Sequence, residues 1–203
     1  MRLMAPSISL IQLVGPGGAG KSTVGAALAA RLGCRFCDLD REFERRRADV
    51  DAYIGAHGYE AYARENVAVY LELAPHASDA VLALSSGFMV YPPAVHPGYA
   101  ALRDAIARGP ATVVLLPSLD RETCVAEIVR RQFGRPFGRR DPTREEAVIR
   151  ERFDRYASLP AMKVETTCPA HQVAEAIHAR LAAEAPGALL AACSARAADR
   201  CAS

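Results

Sequence analysis

The chain has 203 residues, of which 51% are hydrophobic and 24% are charged, and its formal net charge is +2. This composition is typical of a globular protein with one buried core and excludes a disordered or strongly basic chain. A net charge this small gives no electrostatic reason to expect binding to nucleic acid or to an acidic membrane. We therefore expect neither among its partners.

The first predicted elements are a strand, a glycine-rich loop and a helix. Residues 8–14 are a short apolar run, and apolar residues recur at helical spacing over residues 23–32. Between them, residues 15–22 read Gly-Pro-Gly-Gly-Ala-Gly-Lys-Ser, which is the G-x-x-x-x-G-K-S pattern of a phosphate-binding loop. Backbone N–H groups and the helix N-terminus hold phosphate oxygens in such a loop. The pattern predicts nucleotide binding.

The residue types in this loop match the parts of a bound ATP and its Mg²⁺ ion. Lys21 would bridge the β- and γ-phosphates, and the Ser22 hydroxyl would be a Mg²⁺ ligand. The predicted nucleotide-binding residues of the loop are Gly15, Gly17, Gly18, Ala19, Gly20, Lys21, Ser22 and Thr23.

Further along the chain, short apolar runs alternate with helical patterns. Strands are predicted at 35–40, 81–84, 112–116 and 162–165, and helices at 41–47, 50–56, 59–73, 99–107 and 170–183. This alternation favours a parallel α/β sheet. We predict one domain over residues 1–185, with a substrate-binding segment at about 41–73, and a flexible tail at 186–203.

An arginine-rich segment occupies residues 130–144, where six of 15 residues are Arg and four are Gly or Pro. Such a segment is typical of a mobile flap, and its charge suits a lid that closes on a triphosphate and excludes water. The chain contains no Asn-Lys-x-Asp guanine signature. The pattern therefore favours a small-molecule kinase over a GTPase.

Cys34 and Cys37 form the only C-x-x-C pair among six cysteines. A zinc site would need a second pair or paired histidines at ligand spacing, and none follows. We interpret the cysteines as buried, reduced thiols of a cytoplasmic protein. We expect no signal peptide, because residues 1–7 are too short for one, and no membrane span, because no apolar run approaches the roughly 18 residues that a span needs.

Over about residues 8–183 the sequence resembles the shikimate kinase family. Residues 15–23 are similar to the family's P-loop, and Phe36-Cys-Asp-Leu-Asp40, followed by Glu42 and Arg45, is similar to its second-strand motif. The resemblance implies a three-layer P-loop fold of the nucleoside-monophosphate-kinase type, with a five-stranded parallel sheet flanked by helices. It also implies Mg²⁺-dependent transfer of the ATP γ-phosphate to a ring hydroxyl of shikimate, a step of aromatic amino acid biosynthesis. We expect a monomer.

The resemblance also assigns roles to two aspartates near the end of the second strand. Asp38 would lie near Mg²⁺, and Asp40 would hold the acceptor hydroxyls. A carboxylate can orient the attacking hydroxyl, while another binds the metal.

Arginines are assigned in the same way. Arg135-Pro136 resembles the lid pair that contacts ATP, and Arg130 or Arg131 resembles the other lid arginine. Arg152, in an Arg-x-x-x-Tyr element, would clamp the substrate carboxylate, which a guanidinium fork suits. The predicted catalytic residues are Lys21, Asp40 and Arg135, and Arg130 and Arg135 complete the predicted nucleotide site.

Two elements depart from the family pattern. The loop of three glycines reads Ser85-Ser86-Gly87, of which Ser86 and Gly87 are predicted to contact the substrate. The family's Phe-Arg-x-x-Glu element reads Tyr62-Ala-Arg-Glu-Asn66, so the arginine is displaced to Arg64, which we keep as a predicted substrate ligand. The alternatives are a kinase for another polyol, sugar acid or antibiotic, and a nucleotide-binding protein with degenerate catalysis.

Overall fold

Strands and helices alternate along the chain, which a computed structural model describes at residues 10–133 and 142–184. The strands are β1 (Ile11–Val14), β2 (Arg35–Asp38), β3 (Ala80–Ala83), β4 (Thr112–Leu116) and β5 (Met162–Glu165). The helices are α1 (Lys21–Leu32), α2 (Leu39–Arg46), α3 (Val50–His57), α4 (Tyr59–Leu73), α5 (Tyr99–Arg108), α6 (Arg121–Phe133), α7 (Pro142–Ala157) and α8 (Ala170–Glu184).

The strands form one parallel sheet in the order β2-β3-β1-β4-β5. This confirms the predicted five-stranded parallel sheet. Because the strands are parallel, the segments that follow β1, β2 and β3 lie at one edge of the sheet, where ligands bind in open α/β folds.

The sheet separates two apolar clusters. Alternate residues of a strand point to opposite faces, so Leu13 packs with α1 and α8 on one face, whereas Val14 packs with α4 to α7 on the other. Both faces are buried, which explains why β3 and β4 read as continuous apolar runs.

The second predicted strand is wrong in its last two residues. β2 ends at Asp38, whose side chain accepts the backbone N–H groups of Asp40 (3.1 Å) and Arg41 (3.4 Å) and so caps α2. The cap starts the helix at once. Asp40 therefore lies in the first turn of α2 rather than in the strand.

The arginine-rich segment is bordered by two helices that are not among the predicted elements. Residues 130–133 end α6 and residues 142–144 begin α7, so both ends of the predicted flap are helical. Asp120 starts α6, since its Oδ1 accepts the N–H of Thr123 at 2.8 Å. The centre of the predicted lid, with Arg135, and the predicted tail lie outside the described residues.

Four cysteines fall in the described ranges, and all four are free. Cys37 and Cys124 are buried and Cys34 is half-buried, as expected for core thiols, but Cys168 is exposed. Residues 10–133 and 142–184 contain no group of three or more metal-binding side chains. Across the same ranges, every helix is too short or too polar to cross a bilayer.

Candidate active site

The glycine-rich loop turns between β1 and α1 at the carboxyl edge of the sheet. Gly15 has φ of 152°, and a Cβ at this position would overlap the carbonyl oxygen of Leu115 in β4. A backbone oxygen in a packed strand cannot move aside. The loop therefore begins with glycine because β4 leaves no room for a side chain.

Lys21 lies at the start of α1, and its ammonium group points back over the loop. Nζ donates to the carbonyl oxygens of Gly15 (2.8 Å) and Pro16 (3.0 Å). Burial lowers the pKa of Lys21 to about 8, while the carboxylates of Asp40 and Asp38 oppose that change. Phosphate oxygens of a bound nucleotide can replace these carbonyl oxygens as acceptors of the hydrogen bonds from Nζ.

Ser22 and Asp38 bring two oxygen donors together beside the loop. The Ser22 hydroxyl donates to Oδ2 of Asp38 at 2.6 Å, and Oδ1 of Asp38 caps α2. Hydroxyl and carboxylate oxygens are the donors that Mg²⁺ prefers, so these residues fit a Mg²⁺ ion bound with nucleotide.

Asp40 lies further along this edge and accepts two hydrogen bonds on one oxygen. Oδ1 accepts from the hydroxyl groups of Tyr62 in α4 (3.0 Å) and Ser85 after β3 (2.5 Å). In the part of the chain that the structure describes, Oδ2 has no hydrogen-bond partner.

Arg152 reaches the same edge from α7. Its guanidinium lies 3.4 Å from the Ser86 hydroxyl and 3.4 Å from the Tyr59 hydroxyl. The neighbouring Tyr156 donates to the Ser86 carbonyl at 3.0 Å and fixes α7 against the loop after β3. The two contacts of Arg152 are long, so an anion can displace them at little cost.

A model of the shikimate kinase family matches residues 17–182. The chain belongs to the shikimate kinase family. A shikimate kinase of Legionella pneumophila is 33% identical over 164 residues, which are 77% of this chain and 84% of that protein. A solved structure described as shikimate kinase from Acinetobacter baumannii in complex with shikimate aligns with a TM-score of 0.66 and 25% identity, covering 89% of this chain and 96% of that one.

Part of the family match is local. A shikimate kinase of Streptomyces avermitilis is 41% identical over 83 residues, which are 40% of this chain, and the match spans about half of that relative's length, 47%.

One residue predicted from the family's Phe-Arg-x-x-Glu element is not brought to the site. Arg64 is exposed on α4 and its guanidinium contacts Glu60 at 3.5 Å, whereas Tyr62 and Asn66 face Asp40 and the loop after β3. One residue turns a helix by about 100°, so Arg64 points away from the face that the shikimate kinase pattern uses. Ala63, the aligned residue, is buried.

The two candidate lid arginines in α6 differ in their contacts. Arg130 is exposed and paired with Glu127. Arg131 also contacts Glu127 but donates to the Gly18 carbonyl of the loop (3.1 Å) and to the carbonyl of Thr166 (2.7 Å). Arg131, and not Arg130, therefore adjoins the phosphate loop. Arg135 lies outside the described residues.

Some residues of the site carry no sequence signal of their own. Tyr59, Tyr62 and Asn66 recur at spacings of three and four, which places them on one face of α4. That spacing also fits a helix face packed in the core, so the pattern alone could not assign them to a site.

The structure leaves no free space for a side chain at Gly87. A Cβ here would overlap the Tyr59 hydroxyl and lie 2.8 Å from the ring of Tyr91, which is buried and cannot yield. We expect Gly87→Ala to lower the free energy of unfolding by about 1–3 kcal/mol. In the control Gly55→Ala, in α3, a Cβ meets nothing within 4 Å, and we expect a gain of about 0.5–1 kcal/mol. Urea denaturation measures both, and equal midpoints would contradict the close approach.

Proposed function

We propose that this chain is an ATP-dependent kinase that transfers the γ-phosphate of ATP to a ring hydroxyl of shikimate. One observation carries the assignment: phosphate-binding and acceptor-binding side chains meet at one edge of the sheet. The charges of three of these side chains act on the Lys21 ammonium group. Asp40 and Asp38 raise the pKa of Lys21, and Arg152 lowers it. This combination provides charge for a phosphate donor, a proton acceptor and an anion ligand within a single site.

In the proposed reaction, each side chain acts on a different part of the reactants. The acceptor hydroxyl gives its proton to Asp40, and its oxygen forms a bond to the γ-phosphorus. The bond from that phosphorus to the bridging oxygen breaks, and ADP leaves. Lys21 stabilises charge on the phosphate oxygens, and Arg152 holds the carboxylate of the acceptor so that the hydroxyl faces Asp40.

Further proposals concern the conditions of the reaction. Family membership implies use of ATP. We propose that Ser22 and Asp38 hold a Mg²⁺ ion, which would neutralise phosphate charge when bound. Asp38 is already fixed by the α2 cap, which favours a preformed site. We also propose that the chain works as a monomer in the cytoplasm, that Arg135 contacts ATP, and that Ser86 and Gly87 contact the acceptor.

A coupled assay of ADP release with purified protein, MgATP and shikimate tests the reaction. We expect turnover that depends on shikimate and is lost with Lys21→Met. ADP release that shikimate does not stimulate would overturn shikimate as the acceptor.

The proposed carboxylate clamp gives a separate prediction. We expect Arg152→Ala to raise the KM for shikimate by roughly 30-fold to 300-fold, with the KM for ATP changed by less than about twofold, because a charge-assisted bidentate contact is lost. Arg155→Ala is the matched control, since Arg155 lies on the same helix but pairs with the exposed Glu151. Steady-state kinetics separate the two constants, and an unchanged KM for shikimate would contradict the clamp.

A second candidate function keeps phosphoryl transfer but uses another hydroxylated acceptor. The observation that favours it is on α4, where buried Ala63 occupies the aligned arginine position and Arg64 points away. The acceptor site therefore has fewer cations than the resemblance implies. The ADP-release assay with neutral polyols and sugar acids tests this candidate, which fails if shikimate alone is turned over.

A further inference from the structure

A chain of buried hydrogen bonds ends on the carboxylate of Asp40. It runs from Tyr91 to Asn66, from Asn66 to Ser85 and from Ser85 to Asp40. Asn66 and Ser85 are almost fully buried, with 0% and 2% of their surface exposed. Water therefore cannot substitute for a missing partner, and each donor must face an acceptor within the chain.

The direction of each hydrogen bond follows from the donors that are present. The Tyr91 hydroxyl donates to Oδ1 of Asn66 at 3.2 Å, so the amide NH₂ group must face the other way, toward Ser85. Nδ2 of Asn66 donates to the Ser85 oxygen at 3.0 Å. A hydroxyl has one proton to give, and here it is directed to Oδ1 of Asp40.

Tyr62 supplies the second donor to the same oxygen. Burial, reinforced by the charge of Asp40, raises the pKa of Tyr62 well above its usual value, and burial does the same for Tyr91. Both hydroxyls therefore stay protonated at physiological pH and remain donors. Two donors on Oδ1 fix the rotation of the carboxylate and leave Oδ2 as its available oxygen.

We propose that Asn66 and Ser85 are positioning residues that hold Asp40 with Oδ2 available to the acceptor hydroxyl. The inference rests on the proposed function, because it assumes that Asp40 receives the proton of the acceptor. The amide of Asn66 orients the Ser85 proton, and the Ser85 proton orients Asp40. The sequence departure at Ser85 therefore has a function: it replaces a small loop residue by a donor to the catalytic carboxylate.

Kinetics of Ser85→Ala and Asn66→Leu test the proposal. Asn66→Leu keeps the approximate size of the side chain but has no N–H group to donate to Ser85. We expect each change to lower kcat roughly 10-fold to 100-fold, since a misplaced catalytic group costs rate rather than nucleotide affinity. The KM for ATP should change by less than about twofold.

Tyr70→Phe is the matched control. The Tyr70 hydroxyl, on the same helix, donates to Gln12 at 2.8 Å and makes no contact with Asp40. The variant removes a half-buried hydrogen bond of the same kind. For Tyr70→Phe we expect a lower melting temperature, with kcat within about twofold of the wild type. If the role of Ser85 were only structural, Ser85→Ala would likewise lower the melting temperature and leave kcat within about twofold.

An Asp40→Asn background shows whether Ser85 acts through Asp40. The residual kcat is measured by transfer of labelled γ-phosphate. It should fall by less than about threefold when Ser85→Ala is added, because the effects of substitutions within one network are not additive. The proposal is overturned if Ser85→Ala leaves kcat unchanged in the wild type, or if it costs as much in the Asp40→Asn background.

A readout without turnover keeps the two proposals distinguishable. If shikimate is not phosphorylated by the wild type, the proposed function fails. The network is then tested by the side-chain amide signal of Asn66 in ¹⁵N NMR, which is assigned by its loss in Asn66→Leu. We expect this signal to shift in Ser85→Ala and Asp40→Asn but not in Tyr70→Phe. A signal unaffected by Asp40→Asn would overturn the network.

Discussion

Asp40→Asn is expected to lower kcat by about 10²-fold to 10⁴-fold, the range found when a group that accepts the reacting proton is lost. The asparagine oxygen can still accept from Tyr62 and Ser85, so the fold around it should persist. Its NH₂ group, however, takes the place of Oδ2 and cannot accept a proton. Initial-rate kinetics with MgATP and shikimate measure the loss.

The matched control for this prediction is Asp154→Asn. Asp154 is an exposed carboxylate on α7 that pairs with Arg121 at 3.2 Å. Exposed ion pairs contribute little, so we expect kcat and the melting temperature to change hardly at all. Calorimetric titration with ATP should give similar affinities for Asp40→Asn and the wild type. If Asp40→Asn kept full activity, Asp40 would not be the proton acceptor.

Lys21→Met is expected to lower kcat/KM for ATP by at least roughly 10²-fold to 10³-fold, because the substitution removes the charged donor that we propose for the β- and γ-phosphates. Methionine keeps a stem of similar length and leaves α1 intact. Lys163→Met is the control, since Nζ of Lys163 donates to the carbonyl of Leu159, in the loop after α7. The control should lose stability without losing affinity for ATP, as calorimetric titration would report.

The lowered pKa of Lys21 adds a pH dependence to ATP binding. Without nucleotide, Lys21 has a pKa of about 8, whereas bound phosphates favour its charged form. Binding of ATP above pH 8 therefore requires Lys21 to take up a proton. Affinity for ATP should therefore be full below pH 8 and weaken as the pH rises through this value. Calorimetric titration at pH 8.5, in two buffers with different ionisation enthalpies, should detect the uptake in the wild type but not in Lys21→Met.

The elements of the fold follow from short-range patterns. The strand, loop and helix of residues 8–32 were predictable from the sequence. The conformational freedom of glycine and the spacing of apolar residues determine structure over only a few neighbouring positions. The predicted end of β2 was wrong because the Asp38 side chain caps α2. The strand therefore ends two residues before the predicted end. Helices α6 and α7 were not predicted, because the Arg, Gly and Pro residues of 130–144, which overlap the end of α6 and the start of α7, favoured a flap.

Residues 15–22 alone determined that this chain has a phosphate-binding loop, and with Asp38 and Asp40 they indicated the kinase family to which it belongs. Only the tertiary structure decided what surrounds Asp40 and Arg152. Tyr62 and Ser85 meet Asp40 across 22 and 45 residues of chain, and Arg152 meets Tyr59 across 93. Such contacts depend on how the sheet brings α4, α7 and the loop after β3 together, and local sequence spacing does not encode that arrangement.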